Sequence, residues 1–232
     1  MTSKQIQTER NKYIFTGIDI CKLIAAILVV LLHTIETGAF FAQEVKYVLT
    51  LFAVPFFFIA SGYFFYHGLD STTDQKAYFL RYEKNLLAIF AVWALVLYSP
   101  FVIADYVQNN PDAGLLRIAL LLFRRIFVIG PGPYWYLAAL MWTAAFLYLC
   151  YIKGWDALLL LAMVAGFLAE ISYACFRGIL SAIPLFRVFH SAIYTVYSWE
   201  FNCWMFGIPF AGIGYFICKK RLSFSYKKAL ML

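Results

Sequence analysis

Four ionisable residues interrupt the first apolar stretch of the chain, GIDICKLIAAILVVLLHTIE, and their spacing is helical. Asp19 and Lys22 are three apart, while Lys22 and His33 are eleven apart. Eleven residues at about 100° each return to within ~20° of the starting direction and climb roughly 16–17 Å. A cation and an imidazole therefore share one stripe of a single helix at two depths. Glu36 follows His33 by three residues and could orient or charge-pair the imidazole. Such a stripe suits acid–base chemistry at His33 and anion binding at Lys22. It also suits a plainer arrangement in which Lys22 snorkels to headgroups and Asp19 pairs with it. His33 is harder to explain that way, because the ten residues before it are all apolar and an ionisable group in lipid needs a cavity or a partner.

The helix that must carry this stripe belongs to a chain for which lipid is the solvent. Only 13% of residues are charged against 64% hydrophobic and 20% aromatic, which excludes a water-soluble domain of this length. Apolar stretches of about 20 residues recur, each long enough to cross ~30 Å of hydrocarbon. We expect an all-α, polytopic transmembrane bundle forming one domain over 1–232, with about six spans near 14–35, 46–67, 85–104, 133–152, 156–173 and 198–218. The first span is too long for a signal-peptide core and is expected to be retained. Between spans three and four, the segment 114–129 carries Arg117, Arg124 and Arg125 on roughly one side and reads as an interfacial amphipathic helix. A seventh span there is the rival, and it would invert everything after it.

Charge arbitrates. With six spans, the tail, the 68–84 loop (Lys76, Arg81, Lys84), the turn at Lys153 and the end containing Lys219, Lys220, Arg221, Lys227 and Lys228 fall on one side. They hold about twice the Lys and Arg of the other side, so both termini are expected to be cytoplasmic in a multi-pass cell-membrane protein. The net charge of +7 thus reports topology rather than a nucleic-acid partner. Five cysteines lack any CxxC or Cys/His spacing, so no metal is expected and an odd count argues against a disulfide framework.

Other spans carry weaker signals. VPFFFIASGYFF contains Pro55 and the pair Ser61-Gly62, which permits close helix approach. GPGPYWYLAAL places Tyr134, Trp135 and Tyr136 where an aromatic belt would lie. WEFNCWMFGIPFAGIGYFICKKR puts Glu200 and Asn202 at one end and Gly207, Pro209, Gly212 and Gly214 in the middle, as in tight packing or an opened backbone beside a cavity.

In this order, IDICKLIAAILVVLLHT, VPFFFIASGYFF, GPYWYLAALMW and GIPFAGIGYFI resemble successive segments of the acyltransferase-3 family of integral-membrane enzymes, which O-acylate envelope and exported glycans. The family's first-span signature is Arg, ten residues, His; here Lys22 and His33 stand at those positions, with Asp19 matching a frequent acidic residue. Lys in place of Arg resembles the subgroup that includes the membrane portion of vancomycin-resistance serine racemases, and it loses the planar fork that grips phosphate bidentately. Phe201-Asn202 stands where such relatives often carry Arg-Asn.

The resemblance implies transfer of an acyl group, acetyl being the expected one, from a cytoplasmic acyl-CoA to a hydroxyl of a glycan. It implies His33 as general base with Glu36 orienting it. Lys22, helped by Arg81 and Lys84, would bind the donor's phosphates, and Asp19, Ser61, Trp135 and Asn202 complete the expected substrate contacts. Family members usually have about ten spans, so the chain is expected to be a fragment or a truncated product of a larger domain. Two alternatives from other classes stay open: a non-catalytic membrane module that transports or binds a substrate along the same stripe, and an inactive remnant.

Overall fold

The computed structural model describes residues 17–31, 52–97, 104, 107–109, 114–129, 135–174, 176–180, 182–197 and 203–221. All regular structure among them is helical. The chain divides into two compact units, Met1–Ser61 and Gly62–Leu232, and the boundary falls inside one continuous helix.

The first unit contains α1 (residues 17–31) and the opening of α2 (Ala53–Asp70). Along α1 the exposed positions are Ile20, Leu23, Ile24, Ile27 and Val30, while Ala25 is fully buried and Ile18, Lys22, Leu28 and Val29 are half-buried. That is one sheltered stripe on an otherwise apolar, outward-facing helix. In α2, Pro55 occupies the first turn, where its missing N–H breaks no helical bond, so it starts this helix and does not kink it.

The second unit is knitted by close approach of backbones. α3 covers Gln75–Leu97 and α4 covers Leu115–Phe123, continued by a π-helical turn over Arg124–Ile129. α5 is Trp135–Lys153, α6 Asp156–Ala174, α7 Arg177–Leu180, α8 Pro184–Tyr197 and α9 Ile208–Lys219, the last entered through a π turn at Cys203–Gly207. Gly62 of α2 lies against the backbone of Ala211 in α9, and a Cβ there would overlap the Ala211 carbonyl oxygen. Gly166 of α6 likewise receives the Trp204 carbonyl and the Pro209 ring. Small residues thus set helix contact in an apolar medium, where hydrophobic burial adds little between helices.

Direction follows from paired ends. Phe79, near the start of α3, stacks at 4.3 Å on Tyr148, near the end of α5. Late in α3, Phe90 meets Phe127, whose carbonyl accepts from Trp142 Nε1 at 2.9 Å. α3 and α5 are therefore antiparallel. The α5–α6 turn is closed by Gly154 at φ 65°, with Trp155 N–H bonded to the Cys150 carbonyl at 2.9 Å. α6 and α9 are antiparallel too, joined where Asp156 meets Lys219.

Three expectations are corrected. The 68–84 segment is not a loop: α2 runs to Asp70 and α3 starts at Gln75, ten residues before the expected span at 85. The cause is Asp74, whose Oδ1 accepts from the Ala77 N–H at 2.9 Å and caps the helix. α8 occupies a stretch where no helix was expected, opened by Pro184 in its first turn. The sixth expected span is not α-helical throughout, since Cys203–Gly207 form a π turn. Among the described residues, only Trp135–Lys153 has both the length and the apolar content to cross a membrane, and Cys203–Lys219 is apolar but shorter.

Replacing Gly62 with Ala should cost several kcal/mol, because a buried backbone contact leaves nothing flexible to yield. A lowered thermal midpoint in detergent is the expected outcome, and an unchanged one would contradict the close approach of α2 and α9.

Candidate functional site

Of the stripe deduced from sequence, the described members are Asp19, which is exposed, and Lys22, which is half-buried on the side of α1 that also carries Ala25 and Val29. Lys22 Nζ donates to Asp19 Oδ1 at 3.2 Å. The Asp19 side chain is 66% exposed, so the pair contributes at most about 1 kcal/mol and its value lies in orientation. His33, Glu36 and Asn202 lie outside the described residues. Ser61 is half-buried near the middle of α2.

In the second unit, one end collects the charges. Lys76, Arg81 and Lys84 stand in the first half of α3, Lys153 ends α5, and Lys219, Lys220 and Arg221 end α9. Arg81 and Lys84, one turn apart, are exposed beside Leu80 and Leu87, on the side of α3 away from Phe79 and Phe90. They come together with each other and project outward. Both oxygens of Asp156 accept from Lys219 Nζ, Oδ1 at 2.7 Å, and that ammonium lies 5.8 Å from the centre of the Tyr215 ring. Tyr66 meets Tyr215 and Tyr151 edge-on at 4.6 and 5.7 Å, and the Tyr151 hydroxyl donates to the Leu69 carbonyl at 3.5 Å. This aromatic knot fixes the ends of α2, α5 and α9 behind the cations. Trp135, at the other end of α5, meets Phe206 of the second π turn edge-on at 6.1 Å.

Two kinds of residue escaped the sequence reading. Tyr215 and Thr143 are buried, and neither side-chain oxygen finds a partner among the described residues. Glu83 sits between Arg81 and Lys84 in sequence, but on the packed side of α3 with Phe79 and Phe90, and its Oε1 is buried without a hydrogen bond. It stands ahead of the apolar part of α3, and burial pushes its carboxyl from an ordinary 4.5 up to about 7. Burial likewise raises the Tyr78 and Tyr82 phenols beside it. The period 79, 83, 86, 90 was the available signal for Glu83.

With this geometry in hand, comparison decides the family. Residues 15–231 match the acyltransferase-3 family model, described as an acyltransferase domain. The chain belongs to the acyltransferase-3 family. It is also similar to an amino-acid racemase of Enterococcus faecalis, 26% identical over an alignment of 215 residues, with 86% of this chain and 27% of that protein covered. The acyltransferase-3 chain thus spans about a quarter of that relative's length, consistent with the racemase-like subgroup suggested by Lys22. No solved structure matches it.

Glu83 gives this region a pH signature. Between about pH 4.5 and 7 the native carboxyl holds a proton that the unfolded chain releases, so stability falls as pH rises through that window. In detergent, the thermal midpoint of the wild type should drop between about pH 4.5 and 7 relative to Glu83→Gln. Parallel curves for the two proteins would contradict the burial of this carboxyl.

Proposed function

We propose that this protein is a membrane acyltransferase that moves an acyl group, acetyl being the expected one, from a cytoplasmic acyl-CoA to a hydroxyl of an envelope or exported glycan. The reading is supported by membership of the acyltransferase-3 family and carried by one observation: Lys22 lies on the sheltered stripe of α1, on the face that His33 shares by helical arithmetic. The basic end with Lys153 and Lys219 to Arg221 is assigned to the cytoplasm by the excess of positive charge there.

The chemistry assigned to these residues is general-base acyl transfer. His33 takes the proton of the acceptor hydroxyl as its oxygen attacks the thioester carbonyl, the carbon–sulfur bond breaks, and the coenzyme A thiolate leaves and takes up a proton. Glu36 orients the imidazole. Lys22, held by Asp19, meets donor phosphate as a point charge, without the bidentate grip an Arg would give. Arg81 and Lys84 serve as outer phosphate contacts at the basic end, and Ser61, Trp135 and Asn202 are assigned to substrate binding.

His33→Ala, made at the matching position of a full-length relative, should leave insertion and thermal midpoint intact while lowering acyl transfer by about 10²–10⁴-fold. Transfer at the wild-type rate would remove His33 from the mechanism.

A further inference from the structure

Helix α8 has a composition that neither water nor a packed core explains. Leu185 is 79% exposed and Val188 67%, with Phe189 also exposed, so an apolar face stands outward along the helix. Beside it runs a polar line at i, i+4 and i+8: Arg187, Ser191 and Thr195. Together with Pro184, Val188 and Ala192 these residues line a shallow, open groove of about 740 Å³. The Thr195 hydroxyl donates to the Ser191 carbonyl at 2.7 Å, which leaves the Arg187 guanidinium and the Ser191 hydroxyl as the groove's donors. Arg187 belongs neither to the Lys22–Asp19 pair nor to the Lys219–Asp156 pair.

The position of α8 says what faces it. It rests on the π turn Arg124–Ile129, which α5 holds through the Trp142–Phe127 hydrogen bond, away from the end that carries Lys153 and Lys219. The helix leading into that turn, α4, shows the same design: Leu116, Leu120 and Phe123 are exposed at i, i+4 and i+7, with Arg117 beside them. Two neighbouring helices with outward apolar faces and flanking arginines fit the boundary of an anionic bilayer better than a protein partner, because that boundary supplies hydrocarbon and phosphate side by side.

We propose that the α8 groove binds the phosphate headgroup of a membrane lipid, with Arg187 and Ser191 holding the phosphate and Pro184, Val188 and Ala192 lying along the adjoining hydrocarbon. The planar guanidinium engages two phosphate oxygens, and the serine hydroxyl donates to a third or to the ester oxygen. This site is independent of the acyl-transfer reading.

The test uses the full chain in nanodiscs of phosphatidylcholine containing a photoactivatable phosphatidylglycerol, with cross-links mapped by peptide mass spectrometry. The peptide spanning 184–197 should be labelled, and Arg187→Gln and Arg187→Glu should each lower that labelling roughly tenfold, the loss expected for one charge-assisted contact. Ser191→Ala should lower it less. Arg187 is exposed, so these variants should keep the wild-type elution profile; if the charge reversal does not fold, Arg187→Gln decides. Background labelling of this peptide, or labelling unchanged by loss of Arg187, would overturn the proposal. So would its erasure by millimolar inorganic phosphate, which would identify the ligand as free phosphate.

Discussion

An ammonium one turn inside an apolar helix cannot face hydrocarbon without cost, and the orientation of the first helix follows from that constraint. In α1 it is met by rotation: Lys22 shares the sheltered side with Ala25 and Val29, while Leu23, Ile27 and Val30 face outward. Asp19 lies at the edge of that side and holds the ammonium, so the charge is oriented before any ligand arrives. Rotation of one helix fixes the direction of every other residue on it. On the proposed reading, the eleven-residue spacing between Lys22 and His33 is what would make a lysine and an imidazole parts of a single path.

The second unit meets a related constraint. Between apolar helices in lipid, contact must come from backbone approach and aromatic interlocking, since there is no water to exclude. Gly62 against Ala211 and Gly166 against Trp204 supply the approach. Tyr66, Tyr151 and Tyr215 supply the interlock, next to the Asp156–Lys219 pair. The result gathers the starts of α3 and α6 with the ends of α5 and α9, and so collects Lys76, Lys153 and Lys219 at one end. Family membership and this sorting of charge point the same way: a helical membrane module with a basic mouth.

Much of this was legible in residue order, and the parts that were not have physical reasons. Ser61-Gly62 announced the close approach at Gly62. The start of α3 was hidden because Lys76, Arg81 and Lys84 resemble a solvated loop, whereas the deciding residue was the cap at Asp74. Arg81 and Lys84 face away from α5, and only the packing of Phe79 on Tyr148 reveals which side of α3 is inner. Glu83 was invisible for the same reason, since a carboxylate between two cations reads as surface. α8 escaped because its apolar residues Leu185, Val188 and Phe189 face outward, so its periodicity does not mark a buried core.

The sharpest test of the central claim measures which side of α1 meets lipid. Spin labels placed singly at 22, 25, 29 and 33, and at 23, 27 and 30, in a cysteine-free full chain in bilayers would report collision with dissolved oxygen, which concentrates in hydrocarbon. Low accessibility at 25, 29 and 33 and high accessibility at 23, 27 and 30, alternating with the helical period, is the expected result. Equal oxygen access on the two sides, or its reversal, would contradict a sheltered path from Lys22 to His33.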